Sequence, residues 1–60
     1  MKLKDVLKFV PDVQRMRIIL GDEELEGEAS AIDRYLHDEL LNTAIDEMTA
    51  DGNVLKVWLE

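Results

Sequence analysis

Cysteine is absent from this 60-residue chain, which removes disulfides, thiolate metal ligands and cysteine nucleophiles at once. A chain of this size buries only about 60% of the surface its unfolded form exposes, so without a covalent staple it folds as one small domain spanning residues 1–60, stabilised by a modest core. Proline occurs once, at Pro11, glycine at Gly21, Gly27 and Gly52, and the aromatics are Phe9, Tyr35 and Trp58. No apolar run approaches the roughly 20 residues that span a bilayer. The opening Met1-Lys2-Leu3-Lys4-Asp5 is too charged to begin a secretory hydrophobic region. The expectation is a cytoplasmic protein without a membrane partner. Hydroxyl side chains are few, namely Ser30, Thr43 and Thr49 besides Tyr35, and histidine occurs once. No nucleophile elbow, P-loop or dinucleotide fingerprint is present. The sequence reads as non-catalytic, with no catalytic, metal or cofactor-binding residue assigned and no cofactor expected.

What the chain has in excess is negative charge. Its formal net charge is −7, and twelve of its fourteen carboxylates lie beyond Leu20, where only Arg34 and Lys56 oppose them. The first twenty residues carry Lys2, Lys4, Lys8, Arg15 and Arg17 against Asp5 and Asp12. A polarised surface of this kind steers association with a partner of opposite sign and says little about fold.

The apolar pattern supplies the fold. Leu3, Val6, Leu7 and Val10 fall on one face of a helix that Pro11 ends. Met16, Ile18 and Leu20 alternate with Arg15, Arg17 and Ile19 as a half-buried strand. Gly21-Asp22-Glu23-Glu24 supplies turn chemistry. A second strand then puts Leu25, Gly27 and Ala29 on one face and Glu24, Glu26 and Glu28 on the other, completing a hairpin. Gly27 marks a bulge or a close backbone approach. Ser30 is the expected cap of a helix starting near Ala31, with Ile32, Tyr35, Leu36 and Leu40 at helical spacing.

From Asn42 the pattern supports two readings. In one, the helix ends at Asn42, Ala44 to Thr49 is a strand, and Asp51-Gly52-Asn53 turns into a last strand from Val54 to Leu59. In the other, Leu36, Leu40, Ala44 and Met48 continue one long helix closed by Gly52. The first gives an α+β domain in the order αββαββ, with one antiparallel sheet and helices packed on it; the second gives αββαβ.

The opening Lys2-Leu3-Lys4-Asp5-Val6-Leu7-Lys8, the Gly21-Asp22-Glu23-Glu24-Leu25-Glu26-Gly27 turn and the closing Asp51-Gly52-Asn53-Val54-Leu55-Lys56-Val57-Trp58-Leu59 together resemble short acidic proteins of unknown function encoded by phages and prophages of Gram-positive bacteria. The resemblance spans most of the chain. It implies a phage context and favours the second hairpin, because the matching segment in that family reads as alternating. It brings no activity with it.

Individual residues sharpen the functional expectation. His37 follows Asp33 by four residues, so on one helix the two could orient a proton or hold a metal, although a carboxylate stands near any histidine in so acidic a chain. Asp22, Glu24, Glu26 and Gly27 imitate a calcium loop in charge, but position twelve is Asp33 and glutamates are long for the early ligand positions. Glu24, Glu26 and Glu28 should stand roughly 6.6 Å apart on one strand face, a regular negative row of the kind that competes with phosphates for a basic groove. Against this stand a merely solvated acidic face and cross-strand pairing of Arg15 and Arg17 with these glutamates. Trp58 lies opposite Leu55, Val57 and Leu59, either buried under a second layer or free as an interface residue.

The reading is an acidic interaction protein, a phage-type inhibitor binding a basic host protein of nucleic-acid-binding or anti-phage defence type, without direct nucleic-acid contact. Its partner surface would comprise Asp22, Glu23, Glu24, Glu26, Glu28 and Trp58. The alternative is a small accessory module that self-associates as a homodimer.

Overall fold

A computed structural model describes all of residues 1–60. Helix α1 covers Leu3–Phe9. Its first turn is closed by the Lys2 backbone N–H, which donates to the Asp5 carboxylate at 3.0 Å, and Val10 is already extended before Pro11, as the steric demand of a proline requires. Leu3 and Val6 face inward, whereas Phe9 at the helix end stays exposed.

Strands β1 (Arg15–Leu20) and β2 (Glu23–Glu28) form the first hairpin, and β3 (Ile45–Asp51) and β4 (Val54–Leu59) the second. Each turns on two residues, Gly21-Asp22 and Gly52-Asn53, flanked by the pairs Leu20/Glu23 and Asp51/Val54. The leading glycine has φ of +60° in the first and +63° in the second. This left-handed first position is the II′ arrangement that matches strand twist and excludes a β-branched residue. Residues 45–51 are therefore strand, and the long-helix αββαβ reading is overturned.

Two further expectations are corrected. The sheet is mixed, ordered β2-β1-β4-β3, with the central β1 and β4 parallel; its hairpins are antiparallel as expected, but they join side by side in the same direction. The element order is α, β, β, α, α, β, β, with an additional short helix. Helix α2 runs Ala29–Tyr35, Leu36 and His37 are extended, and α3 covers Asp38–Leu41. The apparent single helical stripe through Ile32, Leu36 and Leu40 is thus broken. To travel from β2 at one edge to β3 at the other, the chain crosses three strand spacings, roughly 14 Å, and the corner at Leu36-His37 lets Leu36, Leu40 and Leu41 all pack against the core. Asn42 still ends the helical region, its side-chain amide donating to the Asp38 carbonyl at 2.8 Å.

Ser30 is not the cap. Glu28 occupies that position and makes no side-chain cap bond. The first amides of α2 are satisfied by the α1–β1 loop instead: Ala29 N–H donates to the Gln14 carbonyl at 2.9 Å and Ser30 N–H to the Asp12 carbonyl at 3.1 Å. A loop carbonyl thereby does what a side-chain oxygen does elsewhere.

The helices cover one face of the sheet. Leu3, Val6, Ala29 and Ile32 bury Met16, Ile18, Val57 and Leu59 beneath them. The side chain of Ile32 lies above Gly27, whose absent Cβ would meet Ile32 Cγ1 at 3.9 Å, an ordinary contact rather than the close backbone approach that the glycine signalled. Strand β3 carries one irregularity, between Ile45 and Glu47, where Asp46 is the extra residue; such bulges on an outer strand bend and twist the exposed edge.

Two substitutions test this packing. Met16 is fully enclosed, and Met16→Ala should cost about 2–5 kcal/mol, most of what a domain of this length has, so the variant should be largely unfolded in thermal melts followed by circular dichroism. Gly27→Ala fills ordinary space under Ile32 and should gain about 0.5–1 kcal/mol, raising the melting temperature by several degrees. A lower melting temperature would mean that α2 sits closer to β2 than described.

Candidate interaction surface

The opposite sheet face has no helix over it. Cross-strand register builds it in three rows: Glu24, Ile19, Trp58 and Glu47; then Glu26, Arg17, Lys56 and Thr49; then Glu28, Arg15, Val54 and Asp51. Acidic residues stand on both outer strands, while cationic and apolar side chains occupy the centre. Strand alternation alone produces this division, because residues facing away from the helices on β1 and β4 are Arg15, Arg17, Ile19, Val54, Lys56 and Trp58.

The central cations are partly neutralised within the face. Glu26 accepts from both arginines, with Arg17 Nη2 at 2.8 Å from Oε1 and Arg15 Nε at 3.2 Å from Oε2. Lys56 Nζ reaches Asp51 Oδ2 at 3.2 Å. The hydrogen bonds from Arg17 and then Arg15 hold the Glu26 carboxyl below its ordinary range, and the same Glu26 contact raises Arg17. At the N-terminus, the Lys2 backbone amide lowers Asp5 in the same way.

The proposed partner residues thus separate into distinct positions. Asp22 is exposed in the first turn, Glu23 and Glu24 are exposed at the start of β2, and Glu28 is exposed at its end. None of the four makes an ion pair, whereas Glu26 makes two. The expected row of three equivalent carboxylates is therefore interrupted: the free ones on this strand face, Glu24 and Glu28, lie four residues apart, roughly 13 Å. Trp58 is half-buried on the uncovered face beside Ile19 and is not part of the core. His37 does not meet the i, i+4 expectation, because it lies beyond the end of α2, in extended backbone before α3. Asp22, Glu24 and Glu26 are strung along a turn and an extended strand rather than wrapped around a centre.

A second feature was not read from the sequence. Between β2 and the α2–α3 corner lies a groove of about 380 Å³, lined by Leu20, Leu25, Tyr35, Leu36 and Leu40 with Glu23 and Glu24 at its border. Tyr35 is 74% exposed there. The sequence carried one signal for it, Asp38-Glu39, the acidic first turn of a new helix; the apparently continuous stripe conceals that signal.

The ion-pair arrangement has a defined pH consequence. Glu26 and Asp5 have folded-state values below their unfolded ones, so their contributions are complete above the unfolded carboxylate range, near pH 4–4.5, and are lost as pH falls through the lower folded values. Wild-type stability should decline below about pH 4, and Glu26→Gln should show a shallower decline together with lower stability at neutral pH. Urea titrations at neutral and acidic pH check this; parallel acid limbs in the two proteins would remove the assigned role of Glu26. No protein-family model, curated protein or solved structure matches this chain, and the functional reading therefore rests on its own residues and geometry.

Proposed function

We propose that this chain is a non-catalytic, acidic interaction protein that binds a basic surface on another protein, and that in its phage-like reading it inhibits a host nucleic-acid-binding or anti-phage defence protein. The observation that carries the reading is the unequal use of charge inside the fold. Arg15, Arg17 and Lys56 are engaged by Glu26 and Asp51, while Asp22, Glu23, Glu24 and Glu28 stand unpaired along the β2 side of the molecule. Unpaired carboxylates also stand on β3, at Asp46 and Glu47, and on α3, at Asp38 and Glu39, but those of the first turn and β2 run along a single strand edge, and a surface meeting a basic groove gains from charge focused in this way. The interrupted row favours recognition of separate basic side chains over imitation of a regular phosphate lattice. Direct nucleic-acid binding is disfavoured by the same charges.

A second reading has its own observation. Ile19, Val54 and Trp58 form the apolar part of an uncovered sheet face, so a second copy stacked on this face would give a homodimer held by apolar contact. The two readings diverge in salt. Charge-driven binding weakens as ionic strength screens exposed groups, and apolar association does not.

The protein immobilised on resin should retain a nucleic-acid-binding or nuclease-type protein from a Gram-positive lysate at low salt and release it at high salt. The double variant Glu24→Lys/Glu28→Lys should fail to retain it while keeping the wild-type circular dichroism spectrum. Retention unaffected by both salt and charge reversal would overturn the acidic reading, and a salt-resistant dimer of the protein alone, abolished by Trp58→Ala, would establish the second.

A further inference from the structure

The groove beside β2 and the free edge of that strand adjoin one another, and together they define a more specific site than the acidic face. β2 is one of the two outer strands of the sheet, bonded only to β1. An outer strand presents backbone donors and acceptors along its free side, which an extended segment of another chain can take up as an additional strand. Such an added strand gains backbone hydrogen bonds, and its specificity comes from the pockets that receive its alternate side chains.

Here a pocket lies on the helix-facing side of that edge. The corner at Leu36-His37 separates α2 from α3 and leaves Leu25, Leu36 and Leu40 partly uncovered. The opening of about 380 Å³ is within the range of ordinary ligand pockets, about 300–1,000 Å³. Tyr35 stands at its side, largely exposed, an aromatic side chain of the kind that anchors interfaces at low conformational cost. Glu23 and Glu24 border the opening without an intramolecular cation.

Apolar depth with an anionic rim selects its occupant. We propose that the free edge of β2 and the adjoining groove bind an extended segment of a partner protein, in which an apolar side chain enters between Leu25, Leu36 and Leu40 and a neighbouring Lys or Arg meets Glu23 or Glu24. This deepens the reading of the chain as a binder of basic proteins and rests on it. An acidic or wholly polar segment is excluded by the rim or by the groove. A second copy of this chain fits less well, since its own β2 would place Glu23, Glu24, Glu26 and Glu28 against the same acidic edge.

The test is selection of a displayed random-peptide library on the immobilised protein, followed by titration of an enriched synthetic peptide into isotope-labelled protein and amide mapping by NMR. Enriched peptides should carry Leu, Ile, Phe or Trp beside Lys or Arg. Their addition should shift the amides of Leu25, Tyr35, Leu36 and Leu40. Tyr35→Ala and Glu23→Gln/Glu24→Gln should each weaken binding by about tenfold, with circular dichroism unchanged because all three side chains are exposed. Mapping to Ile19, Val54 and Trp58 or to β3 would overturn the proposal, as would enrichment no greater than on an unrelated protein. A lysate partner lost with Glu24→Lys/Glu28→Lys but retained by Tyr35→Ala would leave the acidic reading standing and remove the groove from it.

Discussion

The parallel pairing of β1 with β4 is the constraint from which the rest of this structure follows. Two hairpins can be joined at their inner strands only if the chain leaves the first at its outer strand and enters the second at its own outer strand, so the connection must pass across the whole sheet. That connection is α2, the Leu36-His37 corner and α3. It supplies Ala29 and Ile32 to the core, leaves the opposite face bare, and creates the groove at its own bend. The N-terminal segment then completes the same layer, with Leu3 N–H donating to the Thr43 carbonyl at 3.1 Å and Ile45 N–H to the Met1 carbonyl at 2.8 Å. A parallel pair always needs a covered crossover of this kind; in so short a chain the crossover is also most of the helical layer.

Much of this was legible in the residues because local rules and tertiary demand agree there. The α1 stripe with Pro11, the alternation from Arg15 to Leu20, and the Gly21 and Gly52 turns each carry a local signal that the fold keeps. The strand at Ile45–Asp51 was ambiguous because Leu36, Leu40, Ala44 and Met48 also fit a helical period. Its inner-facing positions, Met48 and Ala50, lie at an outer edge and are exposed, so the strand has little need of a strongly apolar face and its period-two alternation is weak. The parallel centre was not legible: nothing in a strand of six residues encodes which neighbour lies beside it, and only the completed crossover decides that. The same holds for the cap of α2, where the loop carbonyls of Asp12 and Gln14 displaced a local expectation attached to Ser30.

The candidate surface shows a similar division. Composition revealed that carboxylates were in excess, and alternation revealed that Glu24, Glu26 and Glu28 share a face. Pairing, however, depends on register. Arg17 is directly opposite Glu26, and Arg15 reaches the same carboxylate diagonally from its position opposite Glu28. One residue of different register would have moved both arginines toward the helices. For the groove the residues offered only the acidic first turn Asp38-Glu39 that marks a new helix, because its shape exists only where three separate elements fail to close over one another.

Internal pairing and external binding draw on the same charges, and the fold resolves that competition by position. Glu26, in the middle of β2, has one cation directly opposite, Arg17, and a second on a diagonal, Arg15, and is committed to holding the hairpin, while Glu24 above it is opposite Ile19 and Glu28 below it is opposite an arginine already turned toward Glu26. The free carboxylates are therefore those at the ends of the strand and in its turn, next to the unpaired strand edge and the groove. Exposed pairs on such a surface contribute little each and are screened by salt, so Glu26 is poorly suited to be the principal source of stability. The buried cluster of Leu3, Met16 and Val57 carries that role. With the core independent of the acidic edge, the charges of Asp22, Glu23, Glu24 and Glu28 can be exchanged without unfolding the chain, which makes this edge a surface where affinity for a partner can change without loss of the fold that presents it.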